Sequence, residues 1–365
     1  MPLPFVPVPV AVVRAGLGLR RRALDLADLL LPAEGALWDY TAGMQRTTLA
    51  GALISSGLAD ALGQRPRHPG QLAQDLGLDA EVTVRVLGAA AGARLVRFDA
   101  DGRAHLSRLG GPLHRDHPHS IASWVAYQAA PTNARAYGEL GELLREGAEP
   151  SGHRRAFGDS IWSYFGEHRA EGARFGEAMR QLTAIDVAAL ARAYPWPRRG
   201  VICDVAGGNG TLLAAILERR RGARGILIDA AEVLEEADLF LGSRGMGGRV
   251  ERRPGDLFGA LDARADVYVL KWILHDWSDG ACRDILTRLR ATMPAGAKVV
   301  SIDQDLARDR PNAITSMTDL HMLVECEGGR ERSAAQVHGL MADAGLKPGR
   351  VRHAGLQMLV EGVAG

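Results

Sequence analysis

The second half of the chain alternates strand-like and helical segments, and this alternation limits the possible fold more than any other sequence feature. From residue 200 onward, short apolar runs are separated by longer stretches with helical spacing. The predicted strands are 201–205, 225–229, 249–252, 266–270 and 297–302. Such alternation is typical of a parallel sheet covered by helices. We therefore predict an α/β fold with a Rossmann-like domain.

The first half of the chain is predicted to be helical and to include a small hairpin. One helix should end at Gly77, and the next should begin at its cap residue Asp79 and run to about Ala91. Residues 95–107 look like two short strands around a turn at 99–102. Helix, turn, helix and hairpin together form a winged-helix pattern.

These patterns predict three domains. Residues 1–115 form an N-terminal helical, winged-helix-like domain, and 116–195 form a helical linker with several aromatic residues. Some of those aromatics are candidates to line a pocket for an aromatic ligand. The run Pro195-Trp-Pro197 ends the helical region, so the sheet domain is expected to span 196–365.

Charge argues against a nucleic-acid partner. The chain has 44 basic and 43 acidic residues, a formal net charge of +1, so bulk electrostatic attraction to phosphates is absent. The helix expected to enter a DNA groove offers only Arg85 as a basic residue. A DNA-binding regulator that senses a metabolite is therefore the weaker alternative.

Cysteine content and hydropathy indicate the compartment. The cysteines Cys203, Cys282 and Cys326 include no CxxC pair, so neither a zinc site nor a disulfide framework is predicted. Free thiols suit a reducing cytoplasm. No run of eighteen apolar residues occurs, so we expect no membrane-spanning segment.

A glycine-rich loop directly follows the first predicted strand, in the run Asp204-Val-Ala-Gly-Gly-Asn-Gly. Glycines allow a backbone to approach a ligand closely, and the loop opens a helix at the carboxyl end of a strand. A dinucleotide fingerprint would need a third glycine at Leu213, so a nicotinamide or flavin cofactor is not indicated. Gly207, Gly208 and Gly210 are the predicted cofactor-binding glycines.

Three carboxylates lie at the ends of the predicted strands. Asp204 precedes the glycines, where it can meet an ammonium group but would repel a pyrophosphate. Asp229 ends the second strand, where a carboxylate can accept hydrogen bonds from ribose hydroxyls. Asp256 follows the third strand and is placed for an adenine amino group, with Leu257 against the ring. This pattern favours a cationic nucleoside without phosphate.

A histidine lies just past the fourth predicted strand, in the run Lys271-Trp-Ile-Leu-His-Asp-Trp. A lone histidine is commonly a structural hydrogen-bonding residue. His275, however, lies between Trp272 and Trp277 and beside the predicted cofactor loop, which favours a role in catalysis.

These motifs, together with Gly328-Gly-Arg-Glu-Arg332, resemble the plant-type (class I) S-adenosylmethionine-dependent small-molecule O-methyltransferases and their bacterial relatives. The resemblance is clear over 200–365 and looser over the N-terminal half, which is similar to the family's winged-helix dimerisation domain. It implies S-adenosylmethionine as methyl donor, S-adenosylhomocysteine as product, and no metal. It also implies a homodimer and a small hydroxylated, mainly aromatic acceptor.

Several site residues follow from this resemblance. His275 would be the general base, Glu331 matches an acid that orients it, and Asp303 stands where the family usually has a glutamate. Lys271 matches a lysine near the adenine, and Thr183 a serine on the methionine carboxylate. The predicted substrate-binding set is Trp162, Phe175, Met179, Trp272, Asp276, Met322 and Cys326.

Two departures from the family pattern stand out. Ala206 replaces the usual first loop glycine, which is tolerable provided that its backbone is not left-handed. Cys326 replaces a polar pocket residue of plant members, which implies a different substrate. An alternative function is a methyltransferase-fold enzyme that uses the donor for decarboxylation, hydroxylation or cyclisation.

Overall fold

The computed structural model describes residues 10–259, 261–306 and 313–365. The chain divides into two compact units. The N-terminal unit comprises 19–135 and 165–185, and the sheet unit comprises 136–164 and 186–365 together with the chain up to residue 18. None of the described helices is both long and apolar enough to cross a membrane.

The region before the large sheet is mainly helical. Its helices are α1 (Val10–Leu29), α2 (Ala33–Thr41), α3 (Gly43–Ser55), α4 (Leu58–Gln64), α5 (Pro69–Leu76), α6 (Ala80–Gly92), α7 (Ala122–Gln128), α8 (Pro131–Gly138), α9 (Leu140–Glu146), α10 (Gly152–Phe157), α11 (Ile161–Glu167) and α12 (Arg169–Ala193). A short 3₁₀ helix spans Gly111–Leu113. Leu53, Leu72 and Leu87 are fully buried and form the centre of the N-terminal unit's core.

The predicted helix–helix–hairpin arrangement is confirmed in the N-terminal unit. Gly77 ends α5 in the left-handed conformation, and the Asp79 side chain accepts a hydrogen bond from the Val82 backbone N–H at the start of α6. The strands β1 (Val96–Phe98) and β2 (Ala104–Leu106) pair antiparallel. The expected helix and hairpin therefore form where the capping and turn residues placed them.

The sheet unit contains seven strands with helices between them. Its elements are β3 (Arg199–Val205), α13 (Thr211–Arg219), β4 (Gly222–Asp229), α14 (Ala231–Ser243), β5 (Val250–Pro254), β6 (Val267–Lys271), α15 (Asp279–Thr292), β7 (Lys298–Gln304), α16 (Ala313–Glu325), α17 (Ala334–Asp343), β8 (Leu346–Ala354) and β9 (Gln357–Ala364). The strand order is β5-β4-β3-β6-β7-β9-β8. The five predicted strands are confirmed as β3 to β7, all parallel.

The strand order places the candidate site at one edge of the sheet. Strands β4 and β6 flank β3 on opposite sides, so the order in which successive strands are placed in the sheet reverses at β3. Ligands of such sheets bind at this switch point, beyond the carboxyl ends of the strands. Ile202, Leu227 and Val269 are fully buried in these central strands and hold the loop-bearing ends together.

Candidate active site

The glycine loop after β3 is shaped by one acid and several unusual backbone angles. An added Cβ at Gly207 would lie 2.5 Å from Cγ of Asp204, so glycine is needed where the carboxylate lies. Gly208 and Gly210 have φ values of +60° and +80°, which glycine adopts without strain. An added Cβ at Gly208 would meet nothing within 4 Å, so this part of the loop borders open space.

Ala206 corrects one expectation from the sequence. Its φ is +51°, so the residue that replaces the family's first loop glycine is left-handed. A side chain in this region costs about 1–2 kcal/mol, because Cβ crowds the following carbonyl. The condition stated for Ala206 is therefore not met, and the loop carries strain directly beside Asp204.

Two acids border this loop, Asp204 buried and Asp229 half-buried. Asp229 ends β4 and accepts hydrogen bonds from the backbone N–H groups of Gly208 and Ala230, each at 2.8 Å. Asp204 is 2% exposed. Burial raises the pKa of Asp204 to about 7; nearby Lys271 lowers it and Asp229 raises it. This cluster favours a positively charged ligand, since a cation relieves carboxylate desolvation and an anion worsens it.

The third predicted acid lies nearer the surface. Asp256 follows β5, is exposed, and accepts a hydrogen bond from the Phe258 N–H at 3.0 Å. Leu257 is half-buried and packs against the sheet core. The nucleoside contacts expected of both residues stay predictions.

His275 lies in a 3₁₀ turn, Leu274–Asp276, after β6. Its Nδ1 atom is 2.7 Å from Oε1 of Glu331, and its Nε2 atom is 3.4 Å from Oδ1 of Asp276. Burial lowers the pKa of His275, but the carboxylates of Glu331 and Asp276 outweigh burial and raise it to about 10. The turn therefore holds an imidazole of unusually high basicity.

A tight loop brings Glu331 to the imidazole. An added Cβ at Gly329 would lie 2.6 Å from Cβ of Cys326 and 3.1 Å from the carbonyl oxygen of His275, so glycine lets these segments meet closely. The Arg330 N–H donates to that same carbonyl at 2.8 Å. The family resemblance predicted no role for the glycines of this motif.

Arg332 is a site residue that sequence reasoning missed. Its buried guanidinium donates to the backbone carbonyls of Leu274 and Trp277 and to the carboxylate of Asp279. The first two carbonyls flank His275, so Arg332 fixes the turn that presents the imidazole. The only available signal was its position in the Gly-Gly-Arg-Glu-Arg run, because its partners are more than 50 residues away.

Asp303 plays a different part from the one its position suggested. Its Oδ2 accepts a hydrogen bond from the Ser301 hydroxyl, and no hydrogen bond joins it to His275 among the described residues. Because its side chain is one methylene shorter than that of glutamate, Asp303 does not come within hydrogen-bonding distance of the imidazole. Asp303 therefore raises the pKa of His275 by charge alone.

Lys271 and Trp272 form a strained corner at the end of β6. The Lys271 Nζ lies 3.1 Å from the centre of the Trp272 ring, and the Trp272 indole N–H donates to Gln357 at 3.2 Å. Trp272 has a φ of +55°. Burial lowers the pKa of Lys271 to about 8, opposed by Asp186, Asp204 and Asp303. Asp186, which sequence reasoning missed, is thus one of the acids that keep this ammonium charged.

A family model described as an O-methyltransferase domain matches residues 137–347. The chain belongs to this O-methyltransferase family. O-demethylpuromycin-O-methyltransferase from Streptomyces alboniger is 34% identical over 300 residues, which cover 81% of this chain and 79% of that protein.

Two solved methyltransferases extend the similarity to structure. The mitomycin 7-O-methyltransferase MmcR has a TM-score of 0.84 at 30% identity, covering 91% of this chain and 98% of MmcR. NcsB1 from neocarzinostatin biosynthesis has a TM-score of 0.75 at 27% identity, covering 87% and 95%. NcsB1 was solved with S-adenosylmethionine and 2-hydroxy-5-methyl naphthoic acid. The protein is accordingly an S-adenosylmethionine-dependent O-methyltransferase, and the non-methylating alternative is not favoured.

Four residues of this O-methyltransferase that are predicted to bind the methyl acceptor lie in the sheet unit near the turn that carries His275. Trp162 stacks on Trp277 with ring centres 6.0 Å apart. Met322 and Cys326 are buried on or next to α16, and the Cys326 thiol donates to Oδ1 of Asp276 at 3.8 Å. Asp276 thereby contacts both His275, the predicted base, and Cys326, a predicted pocket residue.

The remaining predicted residues lie on α12 within the N-terminal unit. The Phe175 ring stacks on Phe165 at 4.9 Å and meets the edge of Tyr127 at 5.5 Å. Met179 and Thr183 follow on the same helix and are half-buried. Their contacts with acceptor and donor stay predictions.

Proposed function

We propose that this O-methyltransferase transfers the methyl group of S-adenosylmethionine to a phenolic hydroxyl of a small secondary metabolite, with His275 as general base. The observation that carries the proposal is the 2.7 Å contact between His275 Nδ1 and Glu331 Oε1. This contact leaves Nε2 as the nitrogen that receives a proton, and Glu331 stabilises the imidazolium that results.

The basicity of His275 suits a phenol. A phenol has a pKa of about 10 and an unperturbed imidazole about 6.5, a mismatch of about 5 kcal/mol for proton transfer. With the pKa of His275 raised to about 10, the mismatch nearly disappears. An aliphatic alcohol is a far weaker acid, so the same base would not ionise it.

The acids and glycines after β3 and β4 fit the donor. Asp204, Gly207, Gly208 and Gly210 would bind its amino-acid end, and Asp229 its ribose hydroxyls. The open space at Gly208, the buried carboxylate of Asp204 and the half-buried one of Asp229 favour a cationic molecule without phosphate. When bound, S-adenosylmethionine supplies an electrophilic methyl group on a positively charged sulfur.

No metal is needed for this chemistry, because a general base and a charged donor already supply the nucleophile and the electrophile. Among the described residues, no group of three His, Cys, Asp or Glu side chains is arranged to hold a metal ion. The buried free thiols Cys203, Cys282 and Cys326 suit a reducing compartment, and we propose a cytoplasmic enzyme.

We propose a homodimer that forms through the N-terminal helices. Helices α1 to α3 expose large apolar side chains, among them Leu29, Leu37, Trp38 and Met44. Large apolar side chains exposed in such number are typical of an interface. The division into domains at 1–115, 116–195 and 196–365 is part of this proposal.

The base is tested with the variant His275→Ala and the matched control His353→Ala, an exposed histidine on β8 that pairs with Asp305. Isotope-labelled S-adenosylmethionine and a panel of phenols are followed by mass spectrometry for the gain of one CH₂ unit. We expect His275→Ala to lose about 10²–10⁴-fold in kcat while donor affinity, measured by calorimetry, stays unchanged. Full activity of His275→Ala would exclude this residue as the base.

A further inference from the structure

A second buried histidine–carboxylate pair lies in the sheet unit, outside the machinery described above. His153 of α10 and Glu325 of α16 are each 2% exposed, and Nδ1 of His153 lies 3.1 Å from Oε2 of Glu325. An added Cβ at Gly152 would lie 2.7 Å from the Ala136 carbonyl and 3.1 Å from that of Val324. A glycine thus permits the close approach that brings the pair together.

Each member of this pair has one buried atom without a hydrogen-bond partner in the described part of the chain, Nε2 of His153 and Oε1 of Glu325. Burying an unsatisfied polar atom is destabilising, because the atom loses its hydration and gains no hydrogen bond in exchange. Apolar residues of similar size would fill the same space without that cost. The pair therefore weakens the fold as it stands, which is expected of groups reserved for a ligand.

The pair is linked through neighbouring residues to the turn that carries His275. Glu325 directly precedes Cys326, whose thiol donates to Asp276, and Asp276 faces Nε2 of His275. One helical turn before Glu325, His321 is bonded to the hydroxyl of Tyr137 at 3.2 Å. The last turn of α16 thus carries a polar face next to the predicted acceptor residues Met322 and Cys326.

The ring of His153 is held in place by other aromatic side chains. Its centre lies 4.8 Å from that of Phe157 and 5.2 Å from that of Tyr164. Packing on two sides restricts rotation of the imidazole, so its free nitrogen keeps one direction. A fixed polar atom among apolar rings is how ligand pockets obtain specificity.

Resting on the proposed function, we propose that His153 and Glu325 form a subsite that binds a second polar substituent of the acceptor, one that donates hydrogen bonds. Because the carboxylate of Glu325 accepts from Nδ1, both free atoms, Nε2 and Oε1, are acceptors. An aromatic amino group offers two N–H donors and can satisfy both atoms, and a second hydroxyl can satisfy one. A carboxylate substituent would meet a buried anion and be rejected.

The test compares phenol with its amino-, hydroxy- and carboxy-substituted forms in ortho, meta and para positions. Methyl transfer gives kcat/KM for each compound, and calorimetry in the presence of S-adenosylhomocysteine gives its affinity. We expect the best aminophenol and dihydroxybenzene to exceed phenol and every hydroxybenzoate by at least about tenfold in both measurements.

The variant Glu325→Gln replaces one free hydrogen-bond acceptor with a donor while keeping the size of the side chain. Its amide oxygen accepts from His153 and its NH₂ group becomes a donor in place of Oε1. We expect the preference for aminophenols over hydroxybenzoates to fall by at least about tenfold. Glu142→Gln on α9, which alters an exposed pair with Arg145, should leave the ranking unchanged.

A double variant, His153→Phe with Glu325→Met, covers the case in which the single variant folds poorly. It removes both polar atoms together, so the ranking should become flat in a protein that unfolds no earlier than the wild type. An unchanged ranking in both variants would overturn the subsite, as would wild-type preference for phenol or hydroxybenzoates, or no binding of any compound. Binding in the expected order without methyl transfer would instead overturn the proposed function and support the subsite.

Discussion

Glu331 is completely buried, and its Oε1 atom lies 2.7 Å from Nδ1 of His275. The carboxylate fixes the tautomer of the imidazole and, together with Asp276 and Asp303, raises its pKa to about 10 against the effect of burial. Basicity at this site therefore depends on a loop that begins with two glycines and ends at Arg332. The chemistry of His275 and the conformation of that loop cannot be changed independently.

The first prediction concerns the pH dependence of methyl transfer. The imidazole accepts a proton only when neutral, so a pKa raised to about 10 makes kcat/KM increase with pH up to about 10. Glu331→Gln removes the largest of the charges that raise the pKa of His275, so the rise should move to lower pH. The plateau rate should fall about 100-fold or more, because the base is weaker and less well oriented.

Asp303→Asn provides the comparison for that profile. Asp303 acts on His275 by charge without a hydrogen bond, so its variant should shift the profile in the same direction by a smaller amount. Profiles measured with one phenol from pH 6 to about 11 separate the two cases. Identical profiles for wild type and Glu331→Gln would show that Glu331 does not set the basicity of His275.

A second prediction concerns the glycine loop. In Gly207→Ala the new Cβ would lie 2.5 Å from Cγ of Asp204 and 2.6 Å from Cδ1 of Leu227, so the carboxylate must move. We expect the Kd for S-adenosylmethionine, measured by calorimetry, to rise at least tenfold, about 1.4 kcal/mol. Gly242→Ala on α14, where a Cβ meets nothing within 4 Å, should leave this Kd unchanged.

A third prediction concerns Ala206. Replacing alanine with glycine usually destabilises a protein, but here it should stabilise the fold. Glycine relieves about 1–2 kcal/mol of left-handed strain and costs about 0.4–1 kcal/mol through the freer unfolded chain. Ala206→Gly should therefore raise the free energy of unfolding by about 0.5–1 kcal/mol in denaturant titration. Ala215→Gly, inside α13, should lower it by about 1 kcal/mol. Destabilisation by Ala206→Gly would mean that the strain is absent.

A fourth prediction addresses assembly. Trp38 on α2 is 81% exposed in the single chain, and we expect the partner subunit to cover it. Trp38→Glu should convert the dimer to a monomer at micromolar concentration in size-exclusion chromatography with light scattering. Leu144→Glu, an equally exposed site on α9, should remain dimeric. A monomeric wild type would contradict the proposed assembly directly.

The parallel core was predictable because its strands are buried on both faces and form continuous apolar runs. The strands β8 and β9 were not predicted. Strand β8 carries Lys347, Pro348 and Arg350 at the sheet edge, and its pattern of burial gives little periodic signal. Their antiparallel pairing depends on long-range contacts that no local pattern reveals.

The site was predictable in part, because some of its residues follow strands whose ends meet at one edge of the sheet. Asp204 and Asp229 follow strands, so their approach at the sheet edge follows from topology. The contacts of Arg332, and the pair of His153 with Glu325, join residues far apart in the sequence, the latter 172 positions apart. Such pairs depend on tertiary packing, and the residue types alone are compatible with ordinary surface positions.

The position of β9 between β7 and β8 affects how the enzyme can lose activity. Glu331 lies in the stretch of chain that the pairing of β7 with β9 closes, whereas the acids of the glycine loop belong to β3 and β4. A partial opening that released β8 and β9 would free Glu331, which we propose orients the base, and leave paired the strands proposed to bind the donor. Such a species would still bind the methyl donor but would transfer no methyl group. A binding assay alone would therefore count it as active enzyme.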